Sequence, residues 1–354
     1  MTVTDWSQLL DLASERLGGA VLAANDEFFA PKESLLKAGK PIWRQDEYTE
    51  RGKWMDGWET RRRREPGHDW CIVRLGLPGV PRGAVVDTTH FVGNAPESCS
   101  LEGAALPGHP SVDALTSETT PWCELLPRAP LSGGAENRFA ISRQLAADAG
   151  RCTHLRFHIY PDGGVARLRI HGEAVPDRER LARAAGAGWE VDLAAAELGG
   201  LVIAASDMFF GSGHHLILPG SPLGMHDGWE TRRRRGPGHD WALLRLGARG
   251  TLSRVEVDTS HFRGNAPESC SLEVADAADI ANIADIANIA GPGAAEIAQA
   301  SGIWREALPR VRLQPHTRHL FAAELLPASP ATHARFHIFP DGGVGRLRLF
   351  GVLA

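Results

Sequence analysis

The chain has 354 residues, 43% hydrophobic and 23% charged, which suits about two soluble domains with a sizeable core in each. Thirty-eight Lys and Arg against 43 Asp and Glu leave a formal charge of −5, so no global basic field exists to hold nucleic acid or an anionic membrane. No apolar run nears the roughly 18–20 residues of a spanning helix, the opening MTVTDWSQLL lacks the basic and apolar regions of a secretory signal, and five scattered cysteines without CxxC spacing fit reduced thiols in a cytoplasm. Ten Trp against two Tyr, and 15 His, stand out as a surplus.

Helical periodicity is confined to short stretches, residues 6–17 being the clearest. Strand signals dominate after them. Residues 56–70 read DGWETRRRREPGHDW, with four adjacent arginines after Trp58-Glu59. On a strand, Arg61 and Arg63 face one way and Arg62 and Arg64 the other. Such a run cannot be buried without partners. It reads either as an exposed basic edge strand or as a guanidinium fork for a carboxylate substrate. His68, next to Asp69, has the side chain best suited to acid or base work near neutrality. Residues 70–76 form a further strand ended by Gly76, and Trp70 and Phe91 read as core.

Residues 86–98 leave a strand and enter a Gly/Asn/Pro loop, so that Asp87, His90, Asn94 and Glu97 crowd one strand end. A polar cluster at a sandwich rim is a usual place for a ligand site. Asp87 with His90 leaves a divalent metal open, although the spacing matches no specific metal motif. Asn94 after Gly93 fits plain turn chemistry equally well. No GxSxG, P-loop or GxGxxG before a helix occurs. Phe157 and Ile159, then Leu168 and Ile170, alternate with polar residues across Pro161-Asp162-Gly163-Gly164, which predicts a β-hairpin closing the module.

Residues 173–191 are polar, then Ala/Gly-rich, and read as a linker between modules at 11–172 and 192–351. The second module spells the first again. Residues 227–241 match 56–70 at fourteen of fifteen positions, 261–273 match 90–102 at twelve of thirteen, and 335–348 match 156–169 at twelve of fourteen. The offset falls from 181 to 171 across residues 30–53, then rises to 179, so copy two lacks ten residues early and gains eight later. Part of the gain is DIANIA at 279–284, repeated at 285–290, which reads as a surface insertion. Val255, Val257 and Thr259 alternating with Glu256 and Asp258 mark a half-buried strand. Many short strands between Gly/Pro turns give an all-β reading, one β-sandwich per module.

The strings DEFFAPKE (26–33), DEYTERGKW (46–54), MDGWETRR (55–62), GHDW (67–70), VDT (86–88) and FVGN (91–94) resemble the allantoicase family over nearly the whole chain. The resemblance implies two tandem jelly-roll modules of the galactose-binding-like β-sandwich type. It implies hydrolysis of allantoate to ureidoglycolate and urea in allantoin (purine) degradation, by a cytoplasmic homo-oligomer with no definite cofactor. Copy two departs from the pattern: Asp207-Met208-Phe209-Phe210 lacks the Glu, and DEYTERGKW has no counterpart. Allantoate carries one carboxylate and two ureido groups on a single carbon. Arg61 and Arg63 (Arg232 and Arg234 in copy two) suit the carboxylate, with Arg62 and Arg64 as the other pair. Glu59, Asn94 and Glu97 (Glu230, Asn265 and Glu268) suit the ureido groups. His68, His90 and Glu59 (His239, His261 and Glu230) are the candidates for proton transfer. A ureidoglycolate-type hydrolase and a non-catalytic tandem carbohydrate-binding protein are the alternatives.

Overall fold

Nineteen consecutive residues, Asp69–Asp87, form the strand on which the first module is built in this computed structural model. The structure describes residues 6–277, 297, 300, 302–327 and 329–354, so the duplication at 279–290 lies outside the described residues. The first half of the long strand pairs antiparallel with Ala20–Ala24 and with Cys152–Tyr160. Cys152–Tyr160 in turn carries Ser98–Ala104 and then Cys123–Pro130. The second half pairs with Arg167–Ala174 and Glu136–Ala140, and Leu10–Asp11 joins Arg167–Ala174. The handover falls at Gly79, which is matched to both Cys152 and Ala174. A Cβ there would land on the Glu173 carbonyl oxygen, so one strand can serve both layers only where it has no side chain. Ile72, Leu101, Leu155, Phe157, Leu168 and Ile170 are buried inside the module, each contributing about 1.5–3 kcal/mol through removal from water.

The second module repeats this plan around Asp240–Asp258, with the handover at Gly250, matched to both Ala331 and Leu353. Contacts divide the chain into a unit of Leu9–Val175 and a second of Pro176–Ala354, with which residues 6–8 are grouped. An α-helix, Arg178–Gly186, occupies much of residues 173–191, as its Ala, Leu, Arg and Glu content favours.

Four local expectations change in the structure. Residues 6–17 are not one helix: two single 3-10 turns flank the strand Leu10–Asp11. The Asp11 carboxylate takes the backbone N–H of Ile170 on the neighbouring strand, and this long-range pairing outweighs local propensity. The strand from Trp70 runs through Gly76, whose missing side chain admits the Leu17 backbone rather than ending the strand. Trp70 is only half-buried, because its neighbour Asp69 is the side chain turned inward, while Trp58 and Phe91 are fully buried. The strands on either side of Pro161-Asp162-Gly163-Gly164 do not pair with each other but with opposite halves of the long strand. The turn is a corner between layers, held by Thr60 N–H to the Gly163 carbonyl (3.1 Å), Arg63 N–H to Asp162 (2.9 Å) and Gly164 N–H to the Asn94 carbonyl (2.8 Å).

A buried ion pair fixes the loop ahead of Trp58. Arg167 Nη2 lies 2.5 Å from Asp56 Oδ2, and Arg167 Nη1 donates to the carbonyls of Asp56 and Ala166. Asp56 also accepts from Lys37 Nζ (2.8 Å) and the Ile42 backbone N–H (3.0 Å). Arg346 and Asp227 repeat the pair in the second module at 2.8 Å.

Buried His333 gives the fold a pH dependence. It is 2% exposed and accepts or donates one bond, with Thr332 Oγ1 at 2.9 Å. Burial above all, aided by Arg245, pushes its pKa down to about 4. Between pH 6.5 and 4 the unfolded imidazole binds a proton that the native one refuses, so native stability falls as pH drops through that window, by up to about 3 kcal/mol. In urea unfolding from pH 7 to 4, His333→Asn is expected to flatten the pH slope by up to one proton. Identical slopes for wild type and variant would show that His333 is not the group responsible.

Candidate active site at the module rim

The short strand Trp58–Glu59 pairs with Gly164–Val165 and places Glu59 at the corner. Trp58 is fully buried and its indole N–H donates to the Asp26 carbonyl (2.8 Å). Glu59 Oε1 accepts from Asn94 Nδ2 at 2.7 Å. The contact depends on a close backbone approach: a Cβ on Gly163 would stand 2.6 Å from the Asn94 carbonyl, and one on Gly164 would collide with the Phe91 ring. Burial raises the Glu59 carboxyl above the usual carboxylate range, against the opposing pull of the Asn94 N–H.

The arginine run is irregular chain, not a strand, yet it still divides by alternation. Arg61 donates its backbone N–H (3.1 Å) and Nε (2.6 Å) to Asp26 and lies over the Phe28 ring, 5.3 Å from its centroid. Burial works to raise the Asp26 carboxyl, but the N–H bonds of Phe28 and Arg61 and the Arg61 guanidinium outweigh it and hold it low. Arg63 Nη1 donates to Asp69 Oδ1 at 2.7 Å, with Asp69 1% exposed. Arg63 is thereby committed to holding the corner, and Arg61, Arg62 and Arg64 are the exposed members.

His68 and Asp69 do not face each other. His68 Nε2 meets His158 Nδ1 at 2.9 Å, His158 Nε2 meets Glu102 Oε2 at 2.8 Å, and Arg156 Nε donates to the same carboxylate at 2.7 Å. The His68 ring also packs on Tyr160, with centroids 4.6 Å apart. Burial favours the protonated form of Glu102, but the bonds from Arg156 and His158 prevail and keep it ionised. Burial lowers the pKa of His158 despite Glu102, and lowers that of His68 with help from His158 and Arg63. The proton positions follow. An ionised Glu102 accepts from His158 Nε2, a neutral His158 then offers a lone pair at Nδ1, His68 must donate from Nε2, and the lone pair of His68 is left on Nδ1.

His90 has different neighbours from His68. It sits at a loop tip with φ 72°, a region non-glycine residues rarely enter, and its ring lies 5.4 Å from that of Trp43. Glu97 is exposed, and its backbone N–H is tied to the Tyr160 carbonyl (2.9 Å). Asp87 accepts the Thr89 N–H (2.8 Å), and among the described residues no group of three or more His, Cys, Asp and Glu is placed to hold a metal ion. The structure thus joins Glu59 to Asn94 and sets Arg61 on Asp26, while His68, His90, Arg63 and Glu97 keep separate partners. Sequence reasoning missed Asp26, Glu102, Arg156, His158 and Tyr160. Asp26 lies in the family string 26–33, and the one signal for the others was their place in the doubled strings, since 56 residues separate Glu102 from His158.

The second module reproduces most of this. Glu230 and Asn265 pair at 2.5 Å, Arg232 bonds Asp207 at 2.8 Å, and Arg234 bonds Asp240. His239, His337 and Glu273 form the same chain at 2.9 and 2.8 Å. The His337 bond, with burial opposing and Arg335 assisting, holds Glu273 down at about 2. Phe339 stands where the first module has Tyr160. Glu268 lies 3.8 Å from Arg312, both well exposed.

A family model described as the allantoicase repeat matches residues 10–175 and again 191–354. A probable allantoicase of Pseudomonas aeruginosa is 46% identical over 343 residues, covering 97% of this chain and 95% of that protein. One from Streptomyces avermitilis is 45% identical over 358 residues, covering 98% and 86%. The crystal structure of allantoicase from Saccharomyces cerevisiae matches with a TM-score of 0.74 at 30% identity, covering 97% of this chain and 93% of that one. Two copies of one module, each matched by the same repeat model and together spanning most of each relative's length, show that the chain belongs to the allantoicase family.

Proposed function

We propose that the chain's hydrolysis of allantoate to ureidoglycolate and urea, a step of purine degradation, proceeds at the module rim. The observation that carries this reading is the Glu59–Asn94 pair beside Arg61, a carboxyl, an amide and a guanidinium on one loop cluster. Those groups match the two functionalities of allantoate. The planar guanidinium of Arg61 takes the carboxylate. Asn94 and Glu59 take the N–H and C=O groups of a ureido arm. Hydrolysis breaks one bond from the central carbon to a ureido nitrogen and makes one to water oxygen. The leaving nitrogen needs a proton, which Glu59, kept protonated to higher pH by burial, is suited to give. The water must lose one, and His68, neutral and with its lone pair on Nδ1, is suited to take it. His90 is the second proton carrier, presented on its strained loop tip. Arg63 positions the corner through Asp69, and Glu97 stands at the exposed mouth.

No helix among the described residues is long and apolar enough to cross a membrane. We place the enzyme in the cytoplasm, as a homo-oligomer, where its five unpaired thiols stay reduced. Burial pushes Cys99, Cys152 and Cys270 up to about 12, so these thiols are inert packing groups.

Steady-state assays of urea release test the roles. Glu59→Gln, His68→Ala and His90→Ala are each expected to lower kcat by about 100-fold or more, and Arg61→Ala to raise KM for allantoate. Turnover like wild type in all four variants would remove the rim from the reaction. Glu102→Ala tests the proton order. It removes the oxygen that Arg156 and His158 share, so the His158 proton is no longer held on Nε2 and the Nδ1 lone pair of His68 is no longer assured, lowering kcat on the order of 10–100-fold with KM little changed. An unchanged kcat in that variant would show that the relay does not set the state of His68. Because the His68 pKa is lowered, the acid limb of kcat/KM is expected below pH 6.5.

A further inference from the structure

The two rims are not equivalent. In the first module residues 37–54 fold over the rim, carrying a small hairpin of Tyr48–Thr49 and Gly52–Lys53. Asp56 pins its start through Lys37 and Ile42. Its tip reaches Phe28, the ring that Arg61 also overlies. Arg51 donates to the Phe28 carbonyl (3.2 Å) and lies 5.3 Å from the centroid of the Phe28 ring, the distance at which Arg61 also lies. Trp43 packs against His90, and Lys53 Nζ stands 3.9 Å from the Trp43 ring centroid. One ring therefore gathers two guanidiniums, and one carboxylate, Asp26, bonds Arg61 there. That leaves an excess of positive charge suited to a carboxylate ligand.

The second module has no counterpart of this hairpin, being ten residues shorter here. Phe209 and Phe210, in the places of Phe28 and Phe29, are accordingly 63% and 61% exposed against 39% and 37%. Arg232 lies 5.1 Å from the Phe209 centroid, and among the described residues no second guanidinium is found over that ring. His261 is also held differently. Its Nε2 meets the Pro222 carbonyl at 3.0 Å, and its backbone N–H donates to His316 Nδ1 at 2.8 Å. A carbonyl only accepts, so Nε2 of His261 must carry a proton, and that nitrogen is closed to proton uptake.

We infer that turnover takes place in the first module alone, where Arg51 joins Arg61 as a second guanidinium selecting the substrate carboxylate. The second module keeps the charged rim but lacks this closing cationic hairpin. The inference rests on the rim reading of catalysis above.

Urea release by the full-length chain carrying Arg51→Ala is the test, with thermal unfolding to confirm that this exposed residue leaves the fold intact. KM for allantoate is expected to rise about 10-fold or more as a single kinetic component, with partial recovery in Arg51→Lys. Trp43→Ala, which strips the packing from His90, is expected instead to lower kcat, again as a single kinetic component. Two-component kinetics, with about half of kcat surviving at the wild-type KM, would mean that the second module also turns over and would overturn the inference. An unchanged Arg51→Ala alongside a crippled Glu59→Gln would overturn it while leaving the rim as the site. Silence of both variants would overturn the rim reading and the inference together.

Discussion

The buried Arg167–Asp56 pair is the interaction on which the working end of the first module depends. It joins a strand of one layer to the loop that leads into Trp58–Glu59. Both side chains are almost wholly out of water, 3% and 2% exposed, so each would be costly to bury alone. The pair persists because every remaining valence is used. The guanidinium reaches the Asp56, Ala166 and Gly39 carbonyls, and the carboxylate collects Lys37 and the Ile42 N–H. Burial alone would raise the Asp56 carboxyl, but these donors keep it ionised. Through the same carboxylate the strand core holds the hairpin segment that closes over His90. In the second module Asp227 instead takes the Leu223 N–H, and the shorter loop stops there.

Downstream of that anchor the geometry is set by backbone approach. Gly163 and Gly164 let the corner lie against Asn94 and Phe91, which puts the Asn94 amide on Glu59. Asp162 and Asp69 then hold Arg63 by its backbone and its side chain. The corner, the arginine run and the His68 loop are consequently one interlocked unit. A second chain of bonds, from Arg156 and Glu102 through His158 to His68, sets the protonation of an imidazole whose neighbours carry none of that information locally. Its recurrence at matching distances in the second module, with different aromatic backing, shows that the bonds belong to the module plan.

Much of the fold was legible because it was written twice. Doubled strings expose the module, and period-two alternation locates the strands around Val255 and Phe157. Local pattern misleads where a residue serves a distant partner. Gly76 looked like a stop but admits the Leu17 backbone. The Pro161–Gly164 turn looked like a hairpin, yet its donors and acceptors are spent on Thr60, Arg63 and Asn94. Trp70 looked like core, whereas the inward position goes to Asp69 because Arg63 and Asn25 need its carboxylate. Alternation groups Arg61 with Arg63, and only their separate acidic partners tell the two apart.

By itself the sequence determined the duplication, the all-β character, the family and the residue types at the rim. Those properties are carried by spelling, periodicity and composition along the chain. Only the tertiary structure decided which of those residues share a hydrogen bond, that His68 is read through Glu102, and that the two rims differ in closure. Such facts depend on contacts between segments 35 to 111 residues apart, as between Glu59 and Asn94 or Asp56 and Arg167. The physical reason is that pairing energy is settled by distance and burial, and the folded layers create both.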